Sequence, residues 1–350
     1  MRKFIIVKEP APIWFGPLIP IIAIVVTFII TAVFVIIAGA NPFEAYYQFL
    51  IAPLSNKVSA IEVLVKSTPI IMTGIAVTVA FSAGYWNIGA EGQLLAGAIA
   101  AGGIGMAVGK LPPYIAIPCM ILGGFIAGVG WALLPAYLKV KHAVDEVVTT
   151  LLMNTIILFF ISFLLNGVWR DPVSGWPQSP TIADSAVFPT ILPRSRLHIG
   201  FILAVIVVFL VWYLLTQTAF GLRMRAIGLG KDAAQFAGVK VNQTMFIAAL
   251  LSGGIAGLAG VGEVAGIHFH LIEAISSGLG YTGIIVATLG GINPIGSGIA
   301  ALFIGLIDTG AQTVSRALGV PIYLGDVVQS TLLLVTLSML LLRNYHIKRV

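Results

Sequence analysis

Charged residues cut this chain into a series of long apolar runs. Ten uncharged or nearly uncharged stretches predict helical spans, at residues 17–39, 69–85, 92–109, 115–138, 147–168, 199–215, 245–266, 281–291, 295–314 and 327–342. Polar connectors separate them. Asn41-Pro42-Phe43-Glu44 closes the first run, and Lys57, Glu62 and Lys66 mark the next connector. Lys110-Leu111-Pro112-Pro113 is a tight break. The longest polar stretch, Trp169 to His198, holds five prolines and two tryptophans, which suits a loop lying along a membrane interface. A second polar segment runs from Gln217 to Gln243. The runs near 281 and 295 are interrupted by Gly290, Gly291 and Pro294, so eight spans remain an alternative to ten.

Composition turns this pattern into a fold class. Of the 350 residues, 59% are hydrophobic and 9% charged, against about 25% charged in a soluble domain. Such a chain cannot cover itself with a water-facing surface, so a soluble enzyme is excluded, and so is disorder. The expectation is an all-α, polytopic transmembrane bundle forming one domain over 1–350. The uncharged stretch from Pro10 to Phe43 is much longer than the roughly 7–15 residue core of a signal peptide, so it reads as an uncleaved first span. One cysteine, Cys119, allows neither an intrachain disulfide nor a cysteine-based metal site.

The net charge of +6 is spread between the apolar runs rather than gathered in one patch, which argues against a nucleic-acid partner. With ten spans, the basic termini, Lys139, Lys141 and the Arg223–Lys240 segment all fall on one side. The positive-inside rule makes that side the cytoplasm.

Three polar features are candidates for function. Asn87-Ile-Gly-Ala-Glu91-Gly-Gln93 joins two apolar runs with almost no loop. A carboxylate at membrane depth costs about 2.5–3.5 kcal/mol even on a lenient scale, so Glu91 faces protein, water or the interface. It reads either as a capped turn or as a broken helix beside a pathway. Within residues 217–243, Arg223, Arg225, Gly228, Asp232, Ala233, Phe236, Ala237 and Gly238 mark a basic segment in which Asp232 to Ala237 is an expected short helix. Asp232 is its expected cap and Gly238 its expected stop, and its small and apolar residues suit docking. The competing reading is a solvated basic loop. Glu263, His268, His270 and Glu273 suggest a polar vestibule, since His-x-His lacks a third metal ligand. Asn154 lies mid-span and reads equally as a packing amide or a pathway group.

Four motifs occur in order: Asn87-Ile-Gly-Ala-Glu-Gly-Gln-Leu; Asp145-Glu-Val-Val-Thr-Thr-Leu-Leu-Met-Asn154; Arg225-Ala-Ile-Gly228 with Asp232-Ala-Ala and Ala237-Gly238-Val; and Leu251-Ser-Gly-Gly-Ile-Ala-Gly-Leu-Ala-Gly260. Together, over about 67–342, they resemble the branched-chain-type permeases of bacterial ABC importers, and more narrowly the simple-sugar and nucleoside permeases. One departure is Asp145-Glu146, where relatives often carry Asn-Glu. The resemblance implies about ten spans in the bacterial inner membrane, no cofactor, and docking of residues 221–239 on a separate ATPase subunit. It also implies a second permease subunit, identical or homologous, and a periplasmic or lipid-anchored solute-binding protein, besides membrane lipid. The pathway candidates are then Asn87, Glu91, Gln93, Asn154 and Glu263. No Walker A pattern occurs in the chain, so if ATP drives transport a separate subunit is expected to hydrolyse it. The expected role is passage of a nucleoside or related polar solute. The alternatives are a simple sugar, or ion-coupled secondary transport with Glu91 or Glu263 as the ion site.

Overall fold

The computed structural model describes residues 4–8 and 15–349, with side chains from 18 to 339. Among the described residues fourteen α-helices dominate: α1 (Phe15–Ile37), α2 (Pro42–Leu50), α3 (Ala52–Ser55), α4 (Lys57–Ser82), α5 (Ala90–Ala107), α6 (Pro113–His142), α7 (Glu146–Asn166), α8 (Gly200–Gln217), α9 (Ala219–Leu229), α10 (Lys231–Phe236), α11 (Val241–Gly262), α12 (Leu279–Leu289), α13 (Pro294–Leu318) and α14 (Leu324–Asn344). Two five-residue strands, β1 (Phe4–Lys8) and β2 (Tyr345–Arg349), pair antiparallel. Among the described residues, seven helices are long and apolar enough to cross a membrane: those starting at Leu18, Lys57, Pro113, Glu146, Gly200, Val241 and Pro294. The apolar stretches 279–289 and 324–339 are helical but shorter. α5 has 18 residues and carries Glu91 and Gln93 in its first turn.

Local chemistry sets the ends of these helices. Asn41 accepts the Phe43 N–H at 2.9 Å and Pro42 opens α2. Asp145 accepts the N–H groups of Val147 and Val148 at 2.8 and 3.1 Å and caps α7. Asn293 does the same for Ile295 and Gly296 at the start of α13. Each satisfies N–H groups that a helix leaves unpaired at its start. α4 corrects the sequence reading. The polar connector holding Lys57, Glu62 and Lys66 is not a loop but the first turns of this 26-residue helix. Hydropathy marks only the apolar part of a helix, and the charged turns continue its backbone.

The chain forms two compact units, one of residues 1–60 with 306–350 and one of 61–305. In the first, α1 packs on α14. The Tyr46 hydroxyl bonds the Phe28 carbonyl, and Gln329 bonds Asp308. The second unit is built around α5, α6 and α11, which pack on one another. Glycines make this possible. A Cβ on Gly97 or Gly260 would strike backbone atoms of Gly257 and of Leu94, and one on Gly128 or Gly257 would strike Gly253 and Gly124. Without a hydrophobic force between helices in lipid, such close backbone approach supplies the dispersion contact that holds them.

Candidate functional site

The connection between α4 and α5 is formed by residues 83–89. It is a buried link in which Ala83, Tyr85, Asn87 and Gly89 are all enclosed. Burial obliges its polar groups to pair. Asn87 donates through Nδ2 to Gln93 Oε1 at 2.8 Å and to Ser252 Oγ at 2.9 Å, and its Oδ1 accepts the Gly89 N–H at 2.9 Å. Gln93 returns a bond from Nε2 to Asn87 Oδ1 at 3.2 Å. Ser252 on α11 donates in turn to the Ala76 carbonyl of α4 at 2.6 Å. The amides of Asn87 and Gln93 are therefore occupied in tying α4, α5 and α11 together.

Glu91 lies beside them in the first turn of α5 and is 4% exposed. No cation neutralises it among the described ion pairs. Instead it meets a helix start. The Gly280 N–H donates to Oε2 at 2.7 Å and the Gly278 N–H to Oε1 at 3.2 Å. These belong to the first turn of α12, where unpaired N–H groups and the helix dipole favour negative charge. Gly278 has φ +95°, a left-handed conformation that glycine adopts freely. Gly280 lies so close that a Cβ there would collide with the Ala90–Glu91 backbone.

Asn154 on α7 completes the junction. Its Oδ1 accepts the Gly92 N–H at 2.9 Å, and its Nδ2 donates to the Ile88 carbonyl at 3.0 Å and the Tyr281 hydroxyl at 3.1 Å. Four of the five pathway candidates thus converge at the starts of α5 and α12. Glu263 does not join them. It opens a π-helical turn, Glu263–His268, at the end of α11. That is eleven residues beyond Ser252, or about 16 Å along the helix. Its carboxylate faces His268 Nε2 at 3.6 Å. Nearby, Arg196 forks onto Glu62 with contacts of 2.5 and 3.2 Å, and that bond holds the guanidinium pKa above its usual value.

The segment 217–243 holds two helices rather than one. Thr218 caps α9 by accepting the Gly221 N–H at 3.0 Å. Asp232 is not the cap of α10, which corrects the sequence reading. The chain at Gly230 is extended, the helix begins at Lys231, and Asp232 lies within the first turn. Gly238 does end it, with φ +82° and its N–H on the Gln235 carbonyl at 3.0 Å. α10 buries Ala234 and turns Ala233, Ala237 and Phe236 outward, Phe236 being 97% exposed. Arg223 and Arg225 are exposed on α9. Gly228 brings α9 against the end of α4, since a Cβ there would approach the Ser82 carbonyl to 2.6 Å.

Residues 59–337 match the family described as the permease component of branched-chain amino acid transport systems. The chain belongs to that permease family. Three relatives extend over nearly all of the permease. A glucose ABC transporter permease of Haloferax volcanii is 30% identical over 97% of this chain and 92% of its own. A nucleoside ABC transporter permease of Lactococcus lactis is 31% identical over 90% and 89%. A guanosine ABC transporter permease of Bacillus subtilis is 32% identical over 92% and 93%. The permease is thus a multi-pass membrane protein and the transport component of an ABC system. Sequence reasoning about its site missed Ser252, Gly278, Gly280 and Tyr281. The closely spaced glycines at 278 and 280, opening an uncharged run, were the available signal for a helix start fitted against another backbone.

Proposed function

We propose that this permease carries nucleosides inward across the bacterial cytoplasmic membrane, as the membrane subunit of an ATP-driven importer. Its residues 1–350 form one transmembrane domain of ten spans with both termini in the cytoplasm. Its partners are an ABC ATPase subunit, a second permease subunit and a periplasmic or lipid-anchored solute-binding protein. The observation that carries the nucleoside reading is the likeness to the guanosine and nucleoside permeases across about nine-tenths of both chains. The likeness to a glucose permease supports a second reading, a simple sugar.

The coupling segment is 217–243. Ala233, Phe236 and Ala237 on α10 suit a cleft in the ATPase, and Gly228 on α9 abuts the end of α4 at Ser82. From Ser82 the chain enters the buried link 83–89 and then the Asn87, Glu91, Gln93 and Asn154 junction. A push on α10 then reaches the starts of α5 and α12 through packed backbone. A partner shifts a conformational balance only through contacts that differ between states, and this reading requires the contacts along this route to differ in that way. In this reading Glu91 and Asn154 position the pathway wall, and Glu263 lies near its outer end.

The test is uptake into proteoliposomes holding the permease with its ATPase and solute-binding protein. ATP-dependent guanosine uptake that excess glucose leaves intact is the expected result. Uptake of glucose but not guanosine selects the sugar reading. Solute uptake that needs no ATP and follows an ion gradient sinks the importer assignment.

A further inference from the structure

Outside the junction, two adjoining grooves open where the end of α6 meets the start of α11. The larger, about 450 Å³, is lined by Tyr137, Val140, Lys141 and Phe246. The smaller, about 360 Å³, is lined by Gln235, Lys240 and Val241. Asn242 and Gln243 line both, so the two lie side by side as a two-part depression. Asn242 ties α11 to α6 here by donating to the Val140 carbonyl at 3.4 Å.

The depression has two chemistries. Its larger part offers an aromatic ring and aliphatic carbon. From there, Tyr137, Leu133, Ile126 and Leu122 continue up α6 as one exposed apolar stripe, at helical spacings of four and seven. Its smaller part offers amides and an ammonium. Lys141 lines the larger part, with Nζ 5.3 Å from the centre of the Tyr137 ring. Neither Lys141 nor Lys240 pairs with a carboxylate among the described residues, and no carboxylate lines either groove. Lys139, by contrast, pairs with Glu146.

We propose that this depression is a binding site for one anionic phospholipid, with an acyl chain along the α6 stripe and the phosphate between Lys141 and Lys240. An apolar track ending in two unpaired ammonium groups complements a molecule that is hydrocarbon at one end and anionic at the other. Basic pockets between transmembrane helices hold anionic headgroups in this way. Gln235 belongs to α10, so the bound headgroup also touches the exposed helix of the 217–243 segment. The site does not depend on which solute the permease carries.

The test uses purified full-length permease in nonionic detergent, titrated with fluorescent phosphatidylglycerol. Unlabelled phosphatidylglycerol displaces the probe, whereas phosphatidylcholine and inorganic phosphate do not. The Lys141→Gln/Lys240→Gln double variant binds about twenty-five-fold more weakly, from about fivefold for each lysine, and Arg at both positions restores binding. Gln243→Trp, which fills the groove without changing charge, also loses binding. Equal displacement by phosphatidylcholine, displacement by inorganic phosphate alone, or undiminished binding in both variants overturns the proposal. So does a groove that the probe cannot enter because a second copy of the chain covers it, seen as dissociation of a dimer in the Gln243→Trp variant.

Discussion

Glu91 shows how a single carboxylate is made tolerable deep in an apolar bundle: two backbone N–H groups of α12 take the place of a cation. Glu91→Ala leaves both unpaired, at about 1–3 kcal/mol for each buried group. The expected outcome is a lowered melting temperature in detergent and several-fold slower uptake, with the complex still assembled. Undiminished uptake would reduce Glu91 to a dispensable cap. A second residue makes a pH prediction. His198, just before α8, is buried against Gly200, Gly262 and Gly266, and burial pulls its pKa down to about 4. Its Nδ1 accepts the Gly200 N–H at 3.1 Å, a bond that requires the neutral ring. The unfolded chain binds this proton near the ordinary value of about 6.5. Stability from His198 is therefore complete above pH 6.5 and lost progressively as pH falls toward 4. Melting curves of wild type and His198→Gln should diverge less at pH 5 than at pH 7.5; a constant difference would contradict this. At this scale the sequence was partly legible. Asn87, Glu91, Gln93 and Asn154 stood out because polar side chains are costly in such runs. Their partners did not, because Gly278 and Gly280 lie 187 and 189 residues from Glu91, and only packing brings them together.

Helices α9 and α10 carry the element-scale prediction. Gly238 has open space around it, so a Cβ there meets nothing, but its φ of +82° strains any other residue. Ala233→Glu places a charge on the outward face of α10. Both Gly238→Trp and Ala233→Glu should insert normally yet lose solute-stimulated ATP hydrolysis by the reconstituted complex. Full stimulation in both variants would remove α10 from the coupling route. A contrasting prediction concerns Gly257, whose missing side chain lets α11 approach α6. Gly257→Val should impair folding itself, read as loss of the monodisperse peak on size exclusion. The existence of the long helices was legible from hydropathy, and Gly238 from its place after a short run. The start of α4 at Lys57 was not, because charged turns look like a connector when only apolarity is tracked. Nor was the cap of α10, because an extended Gly230 starts that helix without a side-chain bond.

For the whole molecule, the proposed ten-span arrangement puts the 169–198 loop and the 217–243 segment on opposite sides. In a Cys119→Ser background, a membrane-impermeant thiol reagent added outside cells should label Ser174→Cys but not Lys231→Cys. Ser185→Cys should react more slowly, since Ser185 is half-buried and donates to the Val108 carbonyl. Labelling of both loop and segment from outside would refute the arrangement. The glycine-lined contact of α5 and α6 with α11 also has a consequence for how the protein is made. The ribosome finishes α6 at His142 and does not begin α11 until Val241. At about 5–20 residues per second, that interval lasts about 5–20 s. For that time the small-residue faces of α5 and α6 lack the backbone that fills them. A nascent chain stalled within α8 should therefore be far more sensitive to protease than one stalled after α11, and a membrane chaperone that shields glycine-rich helix faces would act in this window.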